Sequence, residues 1–197
     1  MTPPRHPEDI VDFSGPEGES LFWEVKAWLI SGHETDLQKS LDATWAHYKL
    51  IKDERLLALV AALCVEGAVD ALLVGVGSGF GSCLEDTDFK FSVKLKILRA
   101  LRLLPSRIVT SCDLIRQIRN EFAHGLDRRR FCDLDEKLRN KLLPHVRLFN
   151  SKNRDPMDYD TQFRDLASFI IAALWVYTQQ ASQLRSWVES QAGREAF

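Results

Sequence analysis

Apolar positions recur along most of this chain at the three-to-four-residue spacing of helices, and no stretch alternates with the period of two that a strand requires. A first helix is predicted over residues 20–32, where Leu21, Phe22, Val25, Trp28 and Leu29 form one stripe and Gly32 supplies a stop. A second is predicted over 35–52, with Leu37, Leu41, Trp45 and Tyr48 at helical spacing. The third, over 53–76, is the most apolar. Leu56, Leu59, Val60, Leu63, Val69, Leu72 and Leu73 cover nearly every side of it except the one carrying Glu66 and Asp70, which marks it as a central bundle helix.

Four more helices follow. One is expected over 88–104, capped from Asp86, Thr87 or Asp88 and ended by Pro105. The next covers 107–124, with Gly125 just past its end. A sixth covers 133–149 and contains Pro144, and the last runs over 159–191 with Phe163, Leu166, Ile170, Leu174, Tyr177 and Leu184 as its buried line. Short connections imply antiparallel neighbours, so the expected fold is all-α: an up-and-down bundle of about six to seven helices. Residues 1–19, with Pro3, Pro4, Pro7, Gly15, Pro16 and Gly18, read as a loose tail. Residues 20–52 then form a helical extension and 53–192 the main domain.

Composition changes this picture little. A chain of 197 residues with 45% hydrophobic and 27% charged content is long enough and apolar enough for one good core. Glu66 and Asp70 interrupt the longest apolar run, residues 56–76, so no membrane span is expected. The N-terminus shows no basic stretch leading into an apolar one, so no secretory leader is expected and the chain is assigned to the cytoplasm. Cys64, Cys83, Cys112 and Cys132 form no CxxC pair and are expected to be reduced thiols, while the five histidines make no HExxH set. No metal and no cofactor is therefore expected. The run Gly-Val-Gly-Ser-Gly-Phe-Gly at 75–81 follows no strand and precedes no Lys-Ser/Thr, so it reads as a loop and not as a phosphate cradle.

Charge is unevenly spread. Between Asp88 and Arg130 eleven bases face four acids, a local +7 in a chain whose total is −2. Such a field suits a polyanion such as RNA or DNA, unless acids elsewhere in the fold balance it. Lys96, Arg99 and Arg102 recur every third residue and form a stripe, and Arg116 and Arg128, Arg129 and Arg130 add to the basic surround.

The densest chemistry lies at 119–124. On a wheel at about 100° per residue, Ile115, Ile118 and Phe122 share the core face, while Asp113, Arg116, Asn120, Ala123 and His124 lie opposite. Asn120 and His124 are neighbours four apart, and Arg119 on the flank is long enough to reach the same spot. An imidazole moves protons near neutral pH, and a guanidinium grips a phosphate in bidentate fashion. One of each makes a thin site. A homodimer with the two copies meeting on a two-fold axis would make a fuller one. A purely structural role is the rival: His124 facing the negative helix terminus, and Arg119 paired with Glu66 or Asp70.

The string Ile115-Arg116-Gln117-Ile118-Arg119-Asn120-Glu121-Phe122-Ala123-His124 resembles the signature of the mannitol operon repressor (MltR) family. The stretch Phe91–Leu98 with Leu101–Leu104, and the apolar helix ending Ala71-Leu72-Leu73, are similar to the helices that flank it there; the resemblance covers about residues 53–148. Arg119, with four residues before His124 and Asn120 directly after it, also resembles the Rx4-6H motif of the wider HEPN superfamily. That resemblance implies a compact, often dimeric helical bundle. In catalytic members, toxins and phage-defence proteins among them, it implies metal-independent RNA cleavage by the paired Arg and His. Carried over, Arg119 would hold the scissile phosphate, His124 would assist removal of the ribose 2′-OH proton, and Asn120 would accompany them. Three functions follow: a HEPN-type endoribonuclease acting as a homodimer on RNA, a non-catalytic regulator of the MltR type, or a module whose Trp-rich N-terminal helices (Trp23, Trp28, Trp45) bind a protein partner.

Overall fold

The computed structural model describes residues 50–192, apart from 78, 85, 87, 126, 150–154 and 157. The tail at 1–19 and the two helices predicted before residue 50 lie outside the described residues, as do Thr87 and the Leu184 side chain. The described residues form six α-helices and one 3₁₀ turn, with no strand: α1 (Glu54–Val76), α2 (Gly79–Leu84), α3 (Phe91–Ala100), α4 (Ser106–His124), a 3₁₀ turn (Phe131–Asp133), α5 (Glu136–Phe149) and α6 (Tyr159–Ala192). The all-α bundle read from the sequence is the fold.

Local chemistry sets the boundaries. Asp53 caps α1 by accepting a 2.7 Å hydrogen bond from the Leu56 amide. The expected helix over 88–104 is shorter at both ends. Asp86 bonds the Asp88 amide at 2.9 Å in a turn, and the helix starts only at Phe91. At the other end Arg102 takes a left-handed φ of 52°, and Leu103 N–H reaches back to Leu98 carbonyl at 3.3 Å. That reversal sends Leu104 into the core, where it is buried, and brings the chain back as α4 from Pro105, so α3 and α4 pack as an antiparallel hairpin. The glycine run is not one loose loop: Gly75 belongs to α1 and residues 79–84 to α2. Gly75 lets α1 and α6 approach closely, since a Cβ there would sit 3.1 Å from Ser182 Oγ. Pro144 lies within α5, which continues through it.

The helices close around a single core. Leu57, Val65, Val69, Leu72 and Leu73 of α1 meet Ile108, Ile115, Ile118 and Phe122 of α4 and Phe163, Leu166, Ile170 and Leu174 of α6. The expected buried lines of α4 and α6 are thus in place, Leu184 aside. Helices α1 and α6 run in the same direction. Arg164 bonds the Ile51 carbonyl at 2.7 Å at one end, and Arg185 bonds the Val74 carbonyl at 3.2 Å at the other. Helix α4 opposes them: its last turn lies near the start of α6 through Phe131, whose ring contacts Phe122 edge-on at 5.4 Å and Phe163 at 4.9 Å.

Helix α1 packs centrally against α4 and α6, as its sequence suggests, but it is not covered on every side. Glu66 and Asp70 are not on an open face. Lys94 of α3, itself only 6% exposed, lies 2.9 Å from Glu66 and 2.8 Å from Asp70. Burial alone would depress the Lys94 pKa, but hydrogen bonds and charge attraction from Asp70 and Glu66 outweigh it, and the pKa is raised. The open side of α1 is instead apolar, with Leu56 49% and Leu63 60% exposed. By length and a mean hydropathy of 2.2, α1 passes for a membrane-crossing helix, yet its opposite side packs into the bundle.

Lys94→Ala is expected to lower stability by about 2 kcal/mol in denaturant titration, less than the loss of a fully buried pair because Glu66 and Asp70 keep some solvent contact. Since folding raises the Lys94 pKa, its contribution is full below the unfolded value of 10.5 and is lost as pH rises through the folded one. The gap between wild type and variant therefore narrows only in strong alkali.

Candidate functional site

The last turns of α4 carry two faces with opposite tasks. Ile115, Ile118 and Phe122 are fully buried and lock the helix to α1 and α6. Around the other side Asp113, Arg116, Gln117 and Asn120 are half-buried, and Ala123 and His124 are exposed. Arg119 and His124 stand five positions apart, so their Cα atoms differ by about 140° around the axis, with Asn120 about 40° from His124. The Arg119 guanidinium crosses part of this gap: its Nη1 donates to Asn120 Oδ1 at 3.0 Å. Asn120 therefore holds the guanidinium on the side of the helix that ends in His124. Neither Arg119 nor His124 has a carboxylate partner among the described residues.

The other bases of the field are less available. Arg116 pairs with Asp113 at 2.8 Å, an acid that also accepts from Gln117 at 2.7 Å. Arg128 pairs with Glu121, and Arg130 lies 3.5 Å from Glu54. Lys94 neutralises two acids of α1. Exposed Lys96 and Arg99 flank the first half of α4 through the α3–α4 hairpin, while Arg119 and His124 stand at its far end, and a 19-residue helix is about 28 Å long. The structure thus gathers Arg119, Asn120, His124 and Arg128–Arg130 at one end of the bundle and leaves Lys96 and Arg99 toward the other.

The turn after α4 is built to hold that end. Gly125 N–H bonds the Glu121 carbonyl at 2.9 Å, and Arg128 N–H bonds Gly125 carbonyl at 3.2 Å. A Cβ on Gly125 would lie 2.7 Å from Arg128 Cδ and 2.9 Å from the Glu121 carbonyl oxygen, so only glycine lets Arg128 fold back over the helix end to Glu121. Asp133 then accepts from the backbone N–H groups of Arg130 at 2.9 Å and Arg129 at 3.1 Å, which holds its carboxyl below the usual range. Glu54 accepts from the Phe131 amide and ties the same turn to α1. The Arg129 side chain, five residues past His124, is left exposed.

A second His lies where sequence reasoning placed no chemistry. His145 of α5 hydrogen-bonds Ser111 Oγ through Nδ1 at 2.8 Å. Ser111 is fully buried, so no substrate reaches that oxygen and the pair serves the α4–α5 contact. Burial first, and then the Lys141 charge, depress the His145 pKa. The thiols also differ among themselves. Cys112 is sealed in the core, where burial pushes its pKa far up, Cys64 is half-buried, and Cys83 and Cys132 are exposed, so only two pack as small hydrophobes. The described residues hold no group of three or more potential metal ligands. An open cleft of about 520 Å³ lies between α1, α2 and α6, lined by Asp70, Val74, Leu84, Ser182 and Arg185, on the side of the bundle away from His124. No family profile, characterised protein or solved structure matches this chain.

The depressed His145 pKa has a defined sign. The folded state favours the neutral ring, so its contribution is present above the unfolded value of 6.5 and is lost as pH falls from there toward the folded value. Melting temperatures are expected to drop on acidification through that window, and His145→Asn is expected to flatten the drop.

Proposed function

We propose that this chain is a HEPN-like RNA-targeting protein that cleaves a phosphodiester with Arg119, Asn120 and His124. The observation that carries the reading is the Arg119–Asn120 hydrogen bond, which draws a guanidinium with no carboxylate partner among the described residues to the side of the helix that ends in an exposed His124. Lys94 supports it indirectly. By occupying Glu66 and Asp70, it removes the two carboxylates that a structural Arg119 would have used.

In this reading Arg119 binds the non-bridging oxygens of the phosphate and offsets charge that grows on them during attack. Asn120 positions the guanidinium. Neutral His124 accepts the proton of the ribose 2′-OH, whose oxygen attacks the adjacent phosphorus while the bond to the 5′-oxygen breaks. The products are a 2′,3′-cyclic phosphate and a 5′-hydroxyl, and the leaving oxygen takes its proton from water or from a second imidazole. A second copy on a two-fold axis supplies that imidazole, and the small, exposed Ala123 beside His124 leaves room for its approach. Arg129 adds a cation beside the scissile phosphate, and Lys96 and Arg99 meet a more distant part of the strand. Arg116, Arg128 and Arg130 contribute a weaker field, each already facing an acid.

The test is cleavage of a mixed-sequence RNA in EDTA by the full chain. Wild type is expected to release cyclic-phosphate ends, and Arg119→Ala and His124→Ala to lower the rate by about a hundredfold or more with unchanged melting. Wild-type rates retained in His124→Ala would refute the assignment. No EDTA-resistant cleavage by any of the three would refute catalysis, leaving a non-catalytic MltR-type regulator or a protein-interaction module that uses the same face.

A further inference from the structure

The apolar outer side of α1 is unlike any other exposed surface described. Leu56, Val60, Leu63, Gly67, Ala71 and Val74 fall within about 80° on the helix wheel, and no charged residue interrupts them over five turns. Of these, Leu56 is 49%, Leu63 60% and Val74 38% exposed, and Val60 is half-buried. Their spacing alternates four and three through Leu56, Val60, Leu63 and Gly67, which is the seam of a helix that packs lengthwise on another helix. Gly67 has open space at its missing Cβ, so a large partner side chain fits over it.

The chain that enters α1 carries a matching seam. Leu50 is helical, Ile51 to Asp53 are not, and the Ile51 carbonyl is pinned by Arg164 at 2.7 Å. Three non-helical residues are the length of an αα-hairpin link, which lays consecutive helices side by side and antiparallel. Counting outward from Lys52, Tyr48 and Leu56 stand four residues away on either side, Leu41 and Leu63 eleven, and Leu37 and Gly67 fifteen. Between them Trp45 mirrors Leu59 at seven residues and Thr44 mirrors Val60 at eight, and both Leu59 and Val60 are half-buried. Leu37, Leu41, Trp45 and Tyr48 fall within about 80° on their own wheel, as wide as the stripe on α1, with Thr44 at its edge. An antiparallel hairpin sets each of those positions opposite its mate. The other side of the 35–50 segment carries Asp36, Lys39, Asp42, His47 and Lys49, so seating it on α1 replaces apolar surface with charged surface. Leu50, off the seam, is 75% exposed.

We infer that the outer face of α1 is the docking surface for residues 35–50 of the same chain, in the register that pairs Tyr48 with Leu56, Thr44 with Val60, Leu41 with Leu63 and Leu37 with Gly67. Sixteen helical residues span about 24 Å and in this register lie along residues 54–69, covering the stripe from Leu56 to Gly67 and leaving Ala71 and Val74 beyond the segment. The proposal does not depend on the ribonuclease reading.

Disulfide trapping in the full chain tests the register. Cys64, Cys83 and Cys132 are replaced by Ser, while Cys112 stays because it is sealed in the core. In dilute protein, Thr44→Cys with Val60→Cys is expected to close an intrachain disulfide roughly tenfold faster than Ala46→Cys with Val60→Cys, which places the thiol on the opposite side of the segment. Equal rates for the two pairs mean a segment loose near α1 and overturn the proposal, as does a disulfide-linked dimer, which would make a second copy the occupant. Hydrogen exchange of the unmodified protein gives an arm free of substitutions. Amides of residues 39–49 are expected to exchange about a hundredfold slower than unstructured ones, and to lose that protection in Leu63→Asp. Unprotected amides in the wild type overturn the proposal.

Discussion

One buried ammonium organises this bundle. Lys94 is placed by α3 within hydrogen-bonding distance of both Glu66 and Asp70, in a setting where an unpaired carboxylate would be costly. Two consequences follow from that contact. The charged side of α1 is closed by α3, so its outer surface is the uncharged stripe from Leu56 to Val74. The two acids of α1 are also neutralised from within the hairpin, and among the described residues Arg119 is held by Asn120 and by no carboxylate. The face of α1 that is open for docking and the guanidinium that is open for a ligand share this cause.

The end of α4 is packed tightly on its inner side and exposed at Ala123 and His124. Three buried side chains, Ile115, Ile118 and Phe122, hold the helix from inside, and the Phe122–Phe131–Phe163 contact fixes the turn that follows. Gly125 permits the tight return that sets Arg128 against Glu121. The carboxylate nearest His124 along the helix, Glu121, is thereby paired with Arg128. Three acids from outside residues 88–130, Glu54, Glu66 and Asp70, offset part of the +7 read there, while Arg119 and Arg129 at this end and exposed Lys90, Lys96 and Arg99 on or just before α3 pair with no acid among the described residues.

Much of this was legible in the sequence because it depends on periodicity. The core faces of α4 and α6 and the stop at Gly125 follow from spacing and capping chemistry alone. The partner of Glu66 and Asp70 was not legible. A pair of acids four apart in an apolar helix signals a buried cation, but which base supplies it depends on how α3 crosses α1. The exposure of Leu56 and Leu63 was not legible for the same reason, since spacing alone does not say which apolar side of α1 is left uncovered. Arg102 ended α3 early because a left-handed residue there turns Leu104 inward, a tertiary demand that helix propensity does not encode. His145 and Ser111 lie 34 positions apart and meet only because α5 packs on α4.

The central claim is that Arg119 and His124 grip one phosphodiester, and it is tested most directly by watching both groups at once. In a sample labelled at arginine guanidinium and histidine ring nitrogens, titration with an uncleavable 2′-deoxy oligonucleotide is expected to shift Arg119 and His124 together, saturating at the same concentration. Shifts confined to Arg99, or a His124 ring that stays still while Arg119 moves, would contradict it.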